Sequence, residues 1–195
     1  MADRPLAGFG PTALATPANA VTLARVAITP LLLAMILGGG ASWPALAFWT
    51  ALSGTDWVDG WLARRQGTTR SGAFLDPLAD KFLILGAMFA LVSEGVFWWV
   101  PVGLIAVREV AISVYRSWMG KRGISVPARW WAKVKTVVQQ VAVALALLPW
   151  TAERRVPANL WLWGGVGLAL FTGAQYLLDG RQAAGPGDAA AGRAL

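Results

Sequence analysis

The sequence contains neither cysteine nor histidine. Their absence excludes disulfide bonds, thiol nucleophiles, histidine-based acid–base pairs and zinc sites built from thiolates or imidazoles. Any metal ion must therefore be bound by oxygen atoms, which favours hard cations such as Mg²⁺, Mn²⁺ or Ca²⁺. Charge is also scarce, because only 14% of the 195 residues are charged, whereas a typical soluble domain has about 25%.

What the sequence has in abundance is apolar residues, which make up 56% of the chain and give a mean hydropathy of +0.54. They fall into six segments, each close to the ~20 residues that cross a bilayer core as a helix. The segments span residues 21–38, 43–63, 74–93, 97–119, 130–150 and 158–178. This pattern predicts an all-α, polytopic membrane protein with six transmembrane helices.

The ends of the chain differ from its middle. Residues 1–16 and 180–195 are rich in Gly, Ala and Pro, so we expect two mobile segments around one transmembrane catalytic domain at 17–179. The net charge of +7 is spread between apolar runs, which favours an anionic membrane surface over nucleic acid as the partner. Basic residues concentrate in alternate loops and near both termini, which predicts that these face the cytoplasm. Arg154 and Arg155 are exceptions that the pattern does not explain.

Four aspartates lie in or beside apolar segments: Asp56, Asp59, Asp76 and Asp80. An aspartate at the bilayer centre costs about 2.5–3.5 kcal/mol on insertion scales, and neighbouring carboxylates repel one another. Within each pair the spacing is three or four residues, so each pair shares one helix face. The two helices are joined by a short loop and should be antiparallel neighbours, so both pairs can point into one cavity at the cytoplasmic side and hold one or two divalent cations.

Two other interpretations of the aspartates remain open at this point. The first is structural ion pairing, because four basic residues lie nearby in the sequence. These are Arg64, Arg65, Arg70 and Lys81. The second is a proton or ion pathway, since acids inside a membrane also mark transporters.

The residues between the aspartates complete a pattern. It reads Asp56-x-x-Asp59-Gly60-x-x-Ala63-Arg64, then seven residues, then Gly72-x-x-x-Asp76-x-x-x-Asp80. This resembles the signature of the CDP-alcohol phosphotransferase family, although the gap before Gly72 is one residue shorter than usual. The small Gly60 and Ala63 are also compatible with close helix packing.

The resemblance implies the family's six-helix fold and a set of site residues. It implies that Asp56, Asp59, Asp76 and Asp80 ligate Mg²⁺ or Mn²⁺, and that Asp80 is the catalytic general base. The run from Pro17 to Arg25 looks like the segment that lines the nucleotide site in related enzymes. The residues implied to bind CDP-diacylglycerol are Asn19, Thr22, Gly60, Ala63, Arg64, Thr69 and Gly72.

The second half of the chain suggests what accepts the transferred group. Arg108, Glu109 and Arg116 lie in the fourth apolar segment, and Lys133 and Lys135 open the fifth. Buried cations near four acids predict a pocket for an anionic, phosphorylated acceptor. An interhelical ion pair for Arg108 with Glu109, and ordinary cytoplasmic-side charges for the others, are the alternatives.

Three runs resemble the bacterial branch of the family that uses sn-glycerol 3-phosphate. They are Gly72 to Lys81, Arg108-Glu109-Val with Arg116, and Lys133-Val-Lys135-Thr136 with Gln139. That resemblance implies transfer of a phosphatidyl group from CDP-diacylglycerol to glycerol 3-phosphate by a homodimer in the bacterial inner membrane. The active site and both termini would then be cytoplasmic. Inositol phosphate, serine or phosphatidylglycerol as acceptor, or a small proton- or ion-coupled transporter, are the alternative functions.

Overall fold

The computed structural model describes the backbone of residues 17–66, 70–121, 130–151 and 154–183, and the side chains of 20–55, 77–120, 130–151 and 154–180. Over these ranges the protein is helical and contains no strand. The helices are α1 (Pro17–Gly39), α2 (Trp43–Gln66), α3 (Arg70–Ser93), α4 (Trp99–Lys121), α5 (Trp130–Leu147) and α6 (Val156–Ala183). A short 3₁₀ turn, Pro149–Thr151, follows α5. The predicted all-α architecture with six helices is confirmed.

Each helix begins and ends within a few residues of its predicted apolar segment. The largest difference is in α6, which continues to Ala183, past the predicted end of the domain at residue 179. The predicted mobile segments, 1–16 and the rest of 180–195, lie outside the described residues. Their mobility therefore stays a prediction.

Helix α1 is the principal neighbour of both α2 and α3 among the described residues, and α6 packs mainly against α5 and α4. The element that contacts both α2 and α3 extensively among the described residues is α1. The reason is visible in its sequence, since the buried Leu32 and Ile36 belong to the same apolar core as Trp49 of α2 and Leu83 of α3. The predicted contact of α2 with α3 beside their aspartates involves side chains outside those described, so it stays a prediction.

Large apolar side chains remain exposed on every helix with described side chains, including Leu31, Phe89 and Val107. Tryptophans near helix ends are also exposed. These are Trp43, Trp98, Trp99, Trp118, Trp130, Trp131 and Trp150. Exposed apolar area of this extent marks a surface that contacts a membrane or another protein, and tryptophans at helix ends are typical of a bilayer interface.

By length and composition alone, one helix in the described ranges is long and apolar enough to cross a membrane, namely Ala20–Gly39. The number of helices that cross a membrane therefore stays a prediction.

Arg155, which the charge pattern left unexplained, ties α6 to the turn between α3 and α4. Its guanidinium donates to the carbonyl of Gly95, and Asn159 Nδ2 donates to Val96 O at 3.2 Å. Gly95 has φ of 66°, a left-handed conformation that glycine adopts without steric cost. Arg155 thus has a structural role at this end of the helical bundle.

Candidate active site

A cavity of about 190 Å³ lies between α3, α4, α5 and α6. Since one water needs only about 10–15 Å³ of such space, the cavity has room for a small polar molecule. Its polar lining is Asp80, Lys81, Arg108, Glu109, Ser113, Arg116, Lys135, Thr136, Gln139 and Tyr176. It lies towards the end of the bundle where α3 and α5 begin and α4 ends, opposite the turn that holds Gly95.

Glu109 organises the cations on one side of this cavity. Its Oε1 accepts a hydrogen bond from Arg108 Nη1 at 3.1 Å and another from Lys135 Nζ on α5. Arg108 also donates from Nε to Ala169 O and from Nη2 to Thr172 Oγ1 on α6, both at 2.8 Å. Since all three charged side chains are largely buried, this network fixes Arg108 and Lys135 across α4, α5 and α6.

Two further cations complete the lining. Lys81 Nζ donates to Ser113 Oγ, and Ser113 in turn donates to Glu109 O at 2.6 Å. Arg116 lies with its guanidinium carbon 5.8 Å from the centroid of the Tyr176 ring, a cation–π distance. Within the described residues no carboxylate pairs with Arg116, so its hydrogen-bond donors are available to a ligand.

Asp80 faces the same cavity and is held from the side by α1. Arg25 Nη1 donates to Asp80 Oδ1 at 2.7 Å, and Arg25 Nε donates to Thr55 Oγ1 of α2 at 3.1 Å. Arg25 is only 2% exposed, whereas the Asp80 side chain is 39% exposed. Among the described residues Arg25 is thus a buried, charged partner of the carboxylate, which still presents surface to the cavity.

The charges of the cavity suggest the ligand. Its described lining carries four cationic side chains and two carboxylates, so an excess of about two positive charges faces the space. A phosphate monoester carries about −1.5 to −2 charges near neutral pH, and Arg and Lys donors bind its oxygens well. The arrangement can thus hold a phosphorylated small molecule beside a carboxylate that can accept a proton.

The structure brings four of the predicted site residues together: Asp80, Arg108, Arg116 and Lys135. It does not bring Lys133 to them, because that side chain is exposed in the first turns of α5 and is not part of the lining. Arg108 and Glu109 do form an ion pair, yet they also line the cavity, so the two interpretations of this pair are compatible. Thr22 is completely buried in α1, one turn before Arg25.

The remaining predicted site residues fall outside the described side chains. These are Asn19, Asp56, Asp59, Gly60, Ala63, Arg64, Thr69, Gly72 and Asp76. Among the side chains that the structure does describe, no group of three or more acidic residues could hold a metal ion. The metal site and the CDP-diacylglycerol site therefore stay predictions.

Sequence reasoning missed three residues of this region. Arg25 was placed in the nucleotide segment but not beside Asp80. Lys81 and Gln139 belong to the runs that resemble the family, yet neither was given a role in the site. Both had a usable signal, because Lys81 directly follows Asp80 and Gln139 follows Lys135 by one helical turn.

Comparison with known proteins agrees with these observations. A sequence profile described as CDP-alcohol phosphatidyltransferase matches residues 15–171. A relative from Mycobacterium tuberculosis, named probable phosphatidylglycerophosphate synthase, is 40% identical over 175 residues, which cover 86% of this chain and 83% of the relative. One from Salmonella choleraesuis, named CDP-diacylglycerol–glycerol-3-phosphate 3-phosphatidyltransferase, is 43% identical over 160 residues, or 77% of this chain and 82% of the relative.

A relative of the same name from Escherichia coli is 46% identical over 123 residues, which cover 60% of this chain and 62% of the relative. The profile match spans most of the chain and includes all four aspartates and every described cation of the cavity. This chain belongs to the CDP-alcohol phosphatidyltransferase family.

Proposed function

We propose that this protein transfers the phosphatidyl group of CDP-diacylglycerol to sn-glycerol 3-phosphate, giving phosphatidylglycerophosphate and CMP. The observation that carries the proposal is the juxtaposition of Asp80 with a cavity whose lining bears Lys81, Arg108, Arg116 and Lys135. A phosphate monoester matches the excess positive charge, and a carboxylate beside it can activate a hydroxyl group. The name of the Salmonella choleraesuis relative gives the same donor and acceptor, and that of the Mycobacterium tuberculosis relative gives the same lipid product.

In this proposal the cations orient the acceptor and Asp80 performs the proton transfer. The Asp80 carboxylate takes the proton of the 1-hydroxyl of glycerol 3-phosphate, and the resulting alkoxide attacks the phosphorus that carries diacylglycerol. A phosphorus–oxygen bond forms as the bond to the CMP phosphate breaks. Arg25 keeps Asp80 oriented through the 2.7 Å hydrogen bond, and no covalent enzyme intermediate is required.

The donor atoms available at the aspartate motif fit a hard divalent cation. All four predicted ligands, Asp56, Asp59, Asp76 and Asp80, are carboxylates, which Mg²⁺ and Mn²⁺ prefer. When bound, such an ion would neutralise the diphosphate and the departing CMP. The residues predicted to bind CDP-diacylglycerol lie within this motif or in the segment before Arg25. They are Asn19, Thr22, Gly60, Ala63, Arg64, Thr69 and Gly72.

We further propose that the protein spans the bacterial inner membrane with its active site and both termini on the cytoplasmic side. Support comes from the exposed apolar side chains and end-of-helix tryptophans. The cavity also lies at the end of the bundle where most of the basic residues gather. A homodimer is part of the proposal on family resemblance alone.

The test is CMP release by detergent-purified protein supplied with CDP-diacylglycerol and Mg²⁺. Glycerol 3-phosphate, inositol 1-phosphate, serine and phosphatidylglycerol are offered separately as acceptors. Release with glycerol 3-phosphate alone supports the proposal, and release with another acceptor keeps the chemistry but replaces the substrate. Absence of release with every acceptor, from protein with a cooperative unfolding transition, contradicts enzymatic function and favours the transporter.

A further inference from the structure

Gln139 is a buried polar residue of the cavity that the mechanism so far does not use. It follows Lys135 by one turn of α5 and lines the cavity on the same helix face. The residue is 2% exposed, yet its Nε2 has no hydrogen-bond partner within the described part of the chain. A buried amide donor without a partner costs free energy, so such groups call for an explanation.

The position of Gln139 is defined by a glycine on the neighbouring helix. A Cβ added to Gly165 of α6 would lie 3.3 Å from Gln139 Cγ, closer than an ordinary carbon contact. Glycine at that position therefore gives the Gln139 side chain its space. The packing holds the stem of the side chain and leaves Nε2 without a partner among the described residues.

The cavity's polar groups are unevenly distributed around Gln139. The cations Lys81 and Lys135 lie about one helical turn closer than Gln139 to the end of the bundle where α3 and α5 begin. One turn after Lys81, α3 contributes the apolar Ile84 and Leu85 to the lining. A ligand held by the cations thus has one uncharged polar partner at the inner end of the cavity. An amide suits a hydroxyl particularly well, because it offers both a donor and an acceptor.

We infer that Gln139 hydrogen-bonds the acceptor's second, unreactive hydroxyl group and thereby selects an acceptor that carries one. The inference rests on the proposed function and deepens it. Glycerol 3-phosphate has three polar groups: the phosphate matches the cations, the reacting 1-hydroxyl matches Asp80, and the 2-hydroxyl remains for Gln139. A site built to bind a hydroxyl discriminates strongly against an analogue without it, since the protein group is then left unpaired.

The probe is 3-hydroxypropyl phosphate, which keeps the phosphate and the reactive hydroxyl and lacks only the 2-hydroxyl. We expect the wild-type protein to prefer glycerol 3-phosphate over this analogue by about 100-fold or more in kcat/KM. In Gln139→Met, which keeps the length of the side chain and removes its hydrogen-bonding groups, the preference should fall below about 10-fold. In this variant kcat/KM for glycerol 3-phosphate should fall, whereas kcat/KM for the analogue should change by less than about threefold.

The matched control is Gln140→Met, the same change at the next residue of α5, which does not line the cavity and should keep the wild-type preference. Equal losses on both substrates in Gln139→Met would overturn the inference and assign the residue a purely structural role. A wild-type preference below about threefold would overturn it without any variant. If the wild-type protein turns over neither acceptor, the proposed function itself fails, whereas turnover without discrimination leaves that function intact and removes only the role of Gln139.

Discussion

Arg25 Nη1 lies 2.7 Å from Asp80 Oδ1 and joins α1 to α3 at the edge of the cavity. The two residues are 55 positions apart in the sequence, and Arg25 is nearly inaccessible to solvent. The same guanidinium reaches Thr55 of α2, the residue just before the first aspartate of the motif. One arginine therefore connects the two helices that carry the acidic pairs, so α1 contributes directly to the geometry of the site.

Replacing Arg25 by methionine should lower kcat by about 100-fold, because Asp80 loses a charge-assisted hydrogen bond. The KM for glycerol 3-phosphate should change by less than about threefold, since the acceptor's cations are elsewhere. Arg25→Lys keeps the charge and should recover part of the activity. Steady-state kinetics with a parallel thermal unfolding curve separates this outcome from instability, which would lower activity and unfolding temperature together in both variants.

Lys135 and Lys133 provide a matched pair on one helix. Lys135 is buried in the cavity against Glu109, whereas Lys133 is exposed outside the lining. Loss of a charge-assisted contact of about 1.5–3 kcal/mol should raise the KM for glycerol 3-phosphate by roughly 10- to 150-fold in Lys135→Met. In Lys133→Met we expect less than about a threefold change. Equal effects of the two substitutions would contradict the assignment of the cavity as the acceptor site.

Removal of divalent cations should abolish turnover, because the carboxylate motif offers only oxygen ligands and the donor carries a diphosphate. Chelation with EDTA followed by titration of Mg²⁺ or Mn²⁺ measures this dependence. Asp59→Asn should shift the titration to a concentration about tenfold or more higher, as expected when a ligand is weakened. Full activity in excess EDTA would rule out the proposed metal site.

The turn between α3 and α4 allows a test of stability away from the active site. Gly95 has φ of 66°, so Gly95→Ala should cost about 1–2 kcal/mol, the penalty of a side chain in this conformation. Gly103→Ala in the second turn of α4 should instead stabilise by up to about 1 kcal/mol, because its added Cβ meets only Trp99 at 4.0 Å among the described residues. The midpoint temperature of thermal unfolding in detergent should therefore fall in Gly95→Ala and rise in Gly103→Ala. A shift of the same sign in both variants would contradict the described turn.

Much of the fold was predictable from the sequence, because each helix corresponds to an apolar run of nearly the right length. The spacing of the aspartates, together with the family resemblance, predicts a site that includes Asp80, and Asp80 does line the cavity. What the sequence could not provide were the partners of these residues. Nothing local indicates that Asp80 meets Arg25 rather than the nearby Arg64 or Lys81, since that contact depends on α1 lying against α3.

For the cations of α4 and α5, too, the sequence did not indicate which partners they have. Their number and spacing predicted an anion site, but helix periodicity alone could not separate Lys135, which points to Glu109, from Lys133, which does not. Arg155 was unexplained by charge patterning because its partner is a backbone carbonyl at Gly95. Interactions with the backbone of a distant turn leave no trace in residue patterns.

The most direct test of the central claim is the incorporation of radiolabelled sn-glycerol 3-phosphate into lipid by the purified protein, measured together with CMP. The account predicts label in phosphatidylglycerophosphate in a 1:1 ratio to CMP, with a loss of about 10²–10⁴-fold in Asp80→Asn. Glu94→Gln, the same type of change at the far end of α3, should retain wild-type activity. CMP formed without labelled lipid would mean that water is the acceptor, and unimpaired labelling in Asp80→Asn would contradict the role of Asp80 as the base.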